Sequence, residues 1–222
     1  MNAFMLVFDL DGTLVDSAPD LHAALNLMLR ERGHPALSLS QVKRMIGDGV
    51  PALVARALAA SGADQVEMAQ ALPRFLEVYE ANAARLSRSY PKVPETLASL
   101  RRQGYRMSIC TNKPQRATVA VVEGLGLAEL FDGIAGGDRF PVKKPDRGHL
   151  LGLIGELGAR AEASAMIGDS ENDAAVARDA GVPIVLMRYG YARVDPESLA
   201  ADALLDHFAE LPQALERLAL IP

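Results

Sequence analysis

The chain has 222 residues, of which 50% are hydrophobic and 23% are charged, a balance that supplies a folded core and excludes general disorder. Its formal charge of -5 has the wrong sign for binding nucleic acid through many phosphates, and its single cysteine excludes a disulfide scaffold. The apolar runs are shorter than the roughly 18 residues of a membrane span, and the N-terminus lacks the basic start of a signal peptide. We therefore expect no membrane partner, no nucleic-acid partner and a cytoplasmic location.

Short apolar runs alternate with segments of helical periodicity along the chain. This alternation is typical of a parallel sheet covered by helices, because strands buried on both faces are continuously hydrophobic. Strands are predicted at residues 4–8, 106–110, 133–135, 163–167, 183–187 and, from a weaker pattern, 203–205. The prediction is an α/β fold with a Rossmann-like parallel sheet core flanked by helices.

The stretch from residue 19 to residue 86 interrupts this alternation, because it contains almost no β-branched run. Ala-rich helical segments are predicted there at residues 21–32, 51–60 and 65–85. Turn-forming residues flank the stretch on both sides. We expect an α/β core of residues 1–15 and 89–222 that carries an inserted all-helical subdomain of residues 16–88.

Two carboxylates, Asp9 and Asp11, follow the first predicted strand in the string Asp-Leu-Asp-Gly-Thr. Open α/β sheets bind ligands beyond the carboxyl ends of their strands. The Asp-x-Asp spacing alone suits an ordinary turn equally well, whereas chance yields the whole string in roughly one or two such chains per thousand. The string therefore favours a functional pair of carboxylates.

A second acidic cluster follows the strand predicted at residues 163–167, with Asp169 at the strand end and Asp173 four residues later. Asp173 alone is equally typical of a helix cap. Carboxylates gathered at one sheet edge repel one another unless a cation or a shared proton compensates them. An acidic site with only oxygen ligands is typical of Mg²⁺, so the two clusters together favour a Mg²⁺ site.

Candidate phosphate-binding donors follow two further strands, Thr111 and Asn112 after residues 106–110 and Lys144 in the loop after residues 133–135. Each alone is more often a turn former, a helix cap or a solvated charge. Beside an acidic metal site, however, a hydroxyl, an amide and an ammonium can hold the oxygens of a phosphoryl group. The 4 histidines show no metal-ligand spacing and are expected at the surface or at helix ends.

These motifs together resemble those of the haloacid dehalogenase-like phosphatases, and the match covers essentially the whole chain. The four motifs of the family correspond to residues 9–13, 111–112, 144–145 and 168–173. The longer strings at residues 8–21, 46–49 and 111–114 look like those of the bacterial phosphoglycolate phosphatases in particular. One local departure is Asp146, which stands where family members often have another proline.

The resemblance implies a phosphomonoesterase that hydrolyses 2-phosphoglycolate through an aspartyl phosphate. Asp9 would be the nucleophile, and Asp11 would first protonate the leaving group and then activate water. Mg²⁺ would be held by Asp9, the backbone carbonyl of Asp11 and Asp169, with Asp173 acting through water. The phosphoryl oxygens would be held by Thr111, Asn112 and Lys144.

The inserted helices resemble the cap with which such enzymes cover the site and contact the rest of the substrate. Lys43 and Arg44 in this segment are candidates for pairing with the substrate carboxylate, although both equally suit the solvated face of a short helix. The expected partner is a small phosphorylated substrate, and the chain itself is expected to be a monomer or homodimer.

Other reactions of the same family stay open as alternatives. They are hydrolysis of another small sugar phosphate, pyrophosphate hydrolysis and a phosphomutase reaction. A dehalogenase needs no second acid such as Asp11, and a phosphonatase would need a cap lysine, for which Lys43 is the candidate. A phosphate-binding module without activity is a remote alternative, because all the proposed chemical positions are occupied.

Overall fold

A buried hydrophobic strand, Met5–Phe8, lies at the centre of the fold. The computed structural model describes residues 4–222, so Met1 to Ala3 of the predicted core lie outside the described residues. The strands are β1 (Met5–Phe8), β2 (Val15–Asp16), β3 (Arg88–Ser89), β4 (Arg106–Cys110), β5 (Gly133–Ala135), β6 (Ser164–Gly168), β7 (Ile184–Met187) and β8 (Ala203–Leu205). Six of them form a parallel sheet in the order β5-β4-β1-β6-β7-β8, while β2 and β3 pair antiparallel.

Helices cover both faces of the large sheet. They are α1 (Ala18–Glu31), α2 (Leu39–Lys43), α3 (Val50–Ser61), α4 (Met68–Glu80), α5 (Val93–Arg102), α6 (Gln115–Gly124), α7 (Arg147–Glu156), α8 (Glu171–Ala180) and α9 (Leu211–Arg217). Because side chains alternate along a strand, Leu6 and Phe8 of β1 belong to one hydrophobic cluster, and Met5 and Val7 to the other. The central strand therefore ties together two separate cores.

The structure confirms the α/β fold, the parallel sheet and the inserted helices. Each of the six predicted strands is present, with ends that differ by at most one residue. The long helix expected at residues 65–85 is wrong in extent, because a 3-10 turn at Gln65–Glu67 precedes α4 and the helix ends at Glu80. The sequence patterns also missed α2 and the β2–β3 pair, since elements of five and two residues are too short to show periodicity.

Helices α1 to α4 pack on one another between the two short strands β2 and β3. Asp20, in the first turn of α1, joins the two ends of this helical segment. Its buried carboxylate accepts hydrogen bonds from the backbone N–H of Leu86 at 2.9 Å and from the backbone N–H and the hydroxyl of Ser87, both at 2.7 Å. The chain thus enters and leaves the helical segment through one hydrogen-bonded junction.

Between residues 4 and 222, no helix is long and apolar enough to cross a membrane. The cytoplasmic location and the oligomeric state, a monomer or homodimer, stay predictions.

We predict that Asp20→Ala lowers the free energy of unfolding by about 3 kcal/mol, because buried donors lose their acceptor. Urea unfolding measures the change. Asp179→Ala, at an exposed carboxylate on α8, serves as the control and is expected to change stability by less than about 0.5 kcal/mol. Equal stability of the two variants would contradict a structural role for the junction.

Candidate active site

Three neighbouring strands bring the predicted site residues to one edge of the sheet. Strand β1 lies between β4 and β6, so Asp9, Thr111 and Asp169 follow three adjacent strands at their carboxyl ends. The backbone N–H of Asp9 donates a 2.8 Å hydrogen bond to the carbonyl of Ile167, which continues the β1–β6 pairing beyond the strand. The parallel topology therefore produces the convergence that the motif spacing predicted.

Asp9, Asp169 and Asp173 form a buried acidic cluster in which one carboxylate oxygen of each lies within 4.8 Å of the others. Burial raises the pKa of Asp9 to about 6, although the charge of Lys144 and a hydrogen bond from Thr111 act in the opposite direction. Burial and the charges of Asp173 and Asp9 raise the pKa of Asp169 well above its usual range. The cluster therefore carries more negative charge than its surroundings compensate.

Lys144 is the cation that the structure places inside this cluster. Its Nζ lies 3.0 Å from Asp9 Oδ1 and donates a 2.6 Å hydrogen bond to Asp173 Oδ1. Burial acts to lower the pKa of Lys144, but the charges of Asp173 and Asp9 outweigh it and raise this pKa. The ion pair with Lys144 is the contact that the structure gives Asp9 Oδ1. Three buried carboxylates with oxygens within 4.8 Å of one another are a donor set that a hard divalent cation could bind.

Asp173 both caps a helix and belongs to the site. Its Oδ2 accepts hydrogen bonds from the backbone N–H groups of Asp169 and Ser170 and from the Ser170 hydroxyl, completing a capping box at the start of α8. Its other oxygen accepts the hydrogen bond from Lys144. The helix cap thus fixes the carboxylate that orients Lys144.

Asp169 is held by groups to which sequence reasoning assigned no role. The Thr13 hydroxyl donates to Oδ1 at 2.6 Å, and the backbone N–H of Tyr191 donates to Oδ2 at 2.6 Å. A Cβ added at Gly190 would lie 2.2 Å from the Cβ of Asp169, and one at Gly12 would lie 2.3 Å from its Oδ2. Thr13 could have been found from its place in the first motif, whereas the loop at residues 190–191 carries no recognisable signal.

Asp11 lies apart from this cluster and pairs with a different lysine. Lys113 Nζ donates to both carboxylate oxygens of Asp11, at 2.9 and 3.0 Å, and also to the hydroxyl of Tyr79 from α4. Burial acts to lower the pKa of Lys113, but the pairing with Asp11 and Tyr79 outweighs it and raises this pKa. Sequence reasoning missed both partners, although Lys113 directly follows Thr111 and Asn112.

Asn112 and His149 organise the loop that carries Lys144. The side-chain amide of Asn112 donates to the carbonyls of Lys144 at 3.0 Å and Gly47 at 2.9 Å. His149 Nδ1 accepts from the Lys144 N–H at 3.2 Å, and its Nε2 lies 3.1 Å from the Gly136 carbonyl. His149 lies in the first turn of α7, in agreement with the expected helix-end position, but it is buried instead of exposed, and burial together with Lys144 lowers its pKa to about 4.

A cavity of about 30 Å³ lies between the sheet edge and the inserted helices, with room for roughly two water molecules. Asp9, Asp11, Thr111, Asn112 and Lys113 line its floor. The opposite wall is formed mainly by apolar side chains of the helical segment, together with two glycines and the ring of Tyr79: Leu21, Ile46, Gly47, Gly49, Val50, Leu53 and Tyr79. The cavity therefore lies between the core and the helical segment, with polar groups on one side and mainly apolar groups on the other.

The two cap cations predicted from the sequence lie elsewhere. Lys43 Nζ donates to Asp16 at 3.3 Å and lies 5.7 Å from the ring centre of Tyr191. Arg44 is exposed at the end of α2. Neither side chain is among those that line the cavity within the described part of the chain. Contact of Lys43 or Arg44 with a substrate stays a prediction, and their positions outside the cavity lining do not favour it.

The parallel sheet, the carboxylates at its edge and the covering helices define a haloacid dehalogenase-like hydrolase. The chain belongs to this family, whose sequence profile, described as Haloacid dehalogenase-like hydrolase, matches residues 6–187. It is 41% identical over 216 residues to the phosphoglycolate phosphatase of Caulobacter vibrioides, covering 96% of this chain and 91% of that protein. It is 43% identical over 215 residues to the phosphoglycolate phosphatase of Cereibacter sphaeroides, covering 96% and 98%.

The fold agrees with solved structures of similar length. A crystal structure described as a predicted phosphoglycolate phosphatase from Haemophilus somnus matches with a TM-score of 0.90 and 32% identity, covering 96% of this chain and 98% of that chain. The match extends over nearly the whole of both chains and therefore includes the inserted helices.

We predict that Gly190→Ala lowers phosphate release from a phosphomonoester by about 10- to 100-fold, because the new Cβ displaces a carboxylate of the cluster. The control is Gly155→Ala, since the Cβ that it would introduce has nothing within 4 Å beyond its chain neighbours and the backbone of its own helix. Steady-state kinetics of both variants provide the measurement. Unchanged kinetics in Gly190→Ala would show that the close packing against Asp169 is unimportant.

Proposed function

We propose that this chain is a Mg²⁺-dependent phosphatase that hydrolyses 2-phosphoglycolate to glycolate and phosphate. One observation carries the proposal. The buried Asp9 carboxylate, paired with Lys144, lines a cavity under the helical segment that the Asp11 carboxylate also lines. The relatives from Caulobacter vibrioides and Cereibacter sphaeroides, which match nearly the full chain, support phosphoglycolate as the substrate.

The residues present fit the metal that this family implies. Asp9, Asp169 and the backbone carbonyl of Asp11 would hold Mg²⁺, and Asp173 would act through the water around it. When bound, Mg²⁺ supplies positive charge that offsets the repulsion between the carboxylates and the incoming phosphate. The three buried carboxylates within 4.8 Å of one another and the raised pKa values of Asp9 and Asp169 support this assignment.

Asp9 is proposed as the nucleophile of the first step. One of its carboxylate oxygens attacks phosphorus and forms an aspartyl phosphate, while the bond from phosphorus to the ester oxygen breaks. Lys144 and Thr111, both buried next to Asp9, would bind the phosphoryl oxygens, and Asn112 would contribute its amide. The side-chain amide of Asn112 already donates two hydrogen bonds, so substrate binding would exchange at least one of them.

Asp11 is proposed as the proton donor and then the base. In the first step it protonates the ester oxygen, which leaves as the hydroxyl of glycolate. In the second step the Asp11 carboxylate takes a proton from a water molecule. That water attacks phosphorus, phosphate leaves and the Asp9 carboxylate is regenerated. The hydrogen bonds from Lys113 hold the Asp11 carboxylate at the cavity rather than in the acidic cluster.

The helical segment of residues 16–88 is proposed to be a mobile cap. A cavity of about 30 Å³ is too small to admit a phosphoglycolate molecule, so the segment must move away before substrate can enter. The contacts that would break include those of Asp48, which pairs with Arg193 and accepts a 2.7 Å hydrogen bond from Asn172. Closure would then exclude water while the aspartyl phosphate forms.

We predict that Asp9→Asn lowers kcat for phosphoglycolate by at least about 1000-fold, because an amide cannot form the aspartyl phosphate. The substitution preserves size and removes a buried negative charge, so the melting temperature is expected to stay the same or rise. Phosphate release and thermal unfolding are measured on the same preparation. Asp179→Asn is the matched surface control, and appreciable turnover by a folded Asp9→Asn enzyme would contradict the assignment of the nucleophile.

We predict that saturating Mg²⁺ raises the melting temperature by roughly 5–10 °C at pH 7, because an ion bound only by the folded chain stabilises it by mass action. The pKa of Asp9 is about 6 in the folded chain and about 3.9 when unfolded, so the folded chain binds this proton more tightly. In the absence of metal, the stability that the protonated Asp9 contributes is therefore lost as the pH rises through 6.

Protons therefore compete with Mg²⁺ below this pKa, and the thermal shift is expected to be clearly smaller at pH 5 than at pH 7. Scanning calorimetry at both pH values tests this dependence. Asp169→Asn is expected to lose most of the shift at pH 7. A melting temperature that is the same with and without Mg²⁺ at both pH values would exclude the proposed site.

A further inference from the structure

The chemistry of phosphoglycolate restricts where its carboxylate can lie. The ester oxygen that Asp11 protonates is separated from the carboxylate carbon by a single methylene group. A carboxylate oxygen therefore lies within about 3 Å of that ester oxygen when the molecule is compact, by ordinary bond lengths. The group that recognises the carboxylate must consequently be a close neighbour of Asp11.

Lys113 is the cation that meets this condition. Its Nζ lies 2.9 and 3.0 Å from the two oxygens of Asp11, and its side chain is only 2% exposed. Among the cavity-lining side chains of residues 4–222, it is the one that carries a positive charge. An ammonium ion has three N–H donors, and those of Lys113 are directed at the two oxygens of Asp11 and at the Tyr79 hydroxyl. A substrate carboxylate would therefore take the place of one of these acceptors, while Lys113 keeps a hydrogen bond to Asp11.

The other cations near the site already have different positions and partners. Lys144 lies between Asp9 and Asp173, where the phosphoryl group is expected. Lys143 Nζ donates to the backbone carbonyl of Asp48 at 2.7 Å. Lys43 pairs with Asp16, and Arg44 is exposed. The contacts described for these four cations do not include the Asp11 carboxylate, whereas Lys113 donates hydrogen bonds to both of its oxygens.

The cavity wall opposite Lys113 is formed mainly by aliphatic side chains, which cannot compensate the charge of an anion. Four aliphatic side chains line it, Leu21, Ile46, Val50 and Leu53. An unpaired carboxylate in such surroundings is strongly disfavoured, so its binding requires a partner of opposite charge.

Tyr79 holds Lys113 in place from the cap side. Its hydroxyl accepts a hydrogen bond from Lys113 Nζ, which lies 4.8 Å from the centre of the ring. The Tyr79 ring is itself stacked on Phe75 at a centroid distance of 5.5 Å. The ammonium group is therefore fixed between the core carboxylate and a cap side chain, which is the position where a substrate bound under the cap would meet it.

We propose that Lys113 binds the carboxylate of the substrate and is the residue that makes the site specific for phosphorylated 2-hydroxy acids. This inference rests on the phosphoglycolate phosphatase activity proposed above. It replaces Lys43 and Arg44 as the recognition group, because Lys113 adjoins both the reacting ester oxygen and the cavity.

The test compares two substrates of nearly the same size and shape, 2-phosphoglycolate and its amide, 2-phosphoglycolamide, in which an uncharged NH2 group replaces one carboxylate oxygen. The ratio of their kcat/KM values is measured for the wild type and for Lys113→Met, Lys43→Met and Arg44→Met. The wild type is expected to prefer the acid by about 10- to 100-fold, the range of a hydrogen bond to a charged group. Lys113→Met is expected to bring the ratio close to one, whereas the two cap variants keep it.

A role of Lys113 in positioning Asp11 alone would lower kcat for both substrates equally and leave their ratio at the wild-type value, which would overturn the inference. Loss of the ratio in Lys43→Met or Arg44→Met would overturn it as well. A wild type without preference for the acid would refute the phosphoglycolate assignment together with the inference. A preference that survives in Lys113→Met would refute only the role of Lys113.

A binding experiment covers the case in which Lys113→Met fails to fold because it leaves Asp11 unpaired. Asp11→Asn and the double variant Asp11→Asn/Lys113→Met differ in the lysine alone, and the double variant leaves no unpaired charge. Calorimetric titration with glycolate and glycolamide measures the affinities. Glycolate is expected to bind about 10- to 100-fold more weakly to the double variant, with glycolamide unchanged. Equal glycolate affinity in both variants would overturn the inference.

Discussion

The concentration of carboxylates at one edge of the sheet is the constraint on which the rest of the structure depends. Three buried carboxylates lie within 4.8 Å of one another, the ammonium of Lys144 pairs with two of them, and like charges at such distances cannot all be ionised without compensation. The protein accommodates them by fixing each carboxylate with hydrogen bonds from backbone N–H groups or hydroxyls. The remaining excess of negative charge is the physical basis for the cation that we propose at this site.

The acidic cluster and the Asp11–Lys113 pair are held in place by different parts of the chain. The cluster is held entirely by the α/β core, through the capping box of α8 and the loop at residues 190–191. The pair, in contrast, reaches across to Tyr79 on α4 and thereby joins the core to the helical segment. The acidic cluster is thus held without contacts from the helical segment, whereas the Asp11–Lys113 pair depends on a contact with it.

The chain patterns predicted most of the fold and much of the site. Strand ends and motifs predicted that Asp9, Asp11, Thr111, Lys144, Asp169 and Asp173 converge, and the structure brings them together because parallel strands have their carboxyl ends at one edge. The contacts of Lys113 and Tyr79 were not predicted, since a lysine in a loop and a tyrosine on a helix carry no pattern that distinguishes a buried pair from ordinary surface and core residues. The burial of His149 was not predicted either, because burial of a lone histidine depends on distant chain segments.

The sequence by itself determined the order of strands and helices, the acidic motifs and the presence of an inserted helical segment, because these are written in local periodicity and short strings. Only the tertiary structure decided which cation meets which carboxylate. Lys43 and Arg44 lie in the inserted segment and were reasonable candidates, yet the folding of α2 places them outside the cavity. Contacts between residues about a hundred positions apart, such as Lys113 with Asp11, depend on the packing of the sheet and the cap, which no local pattern records.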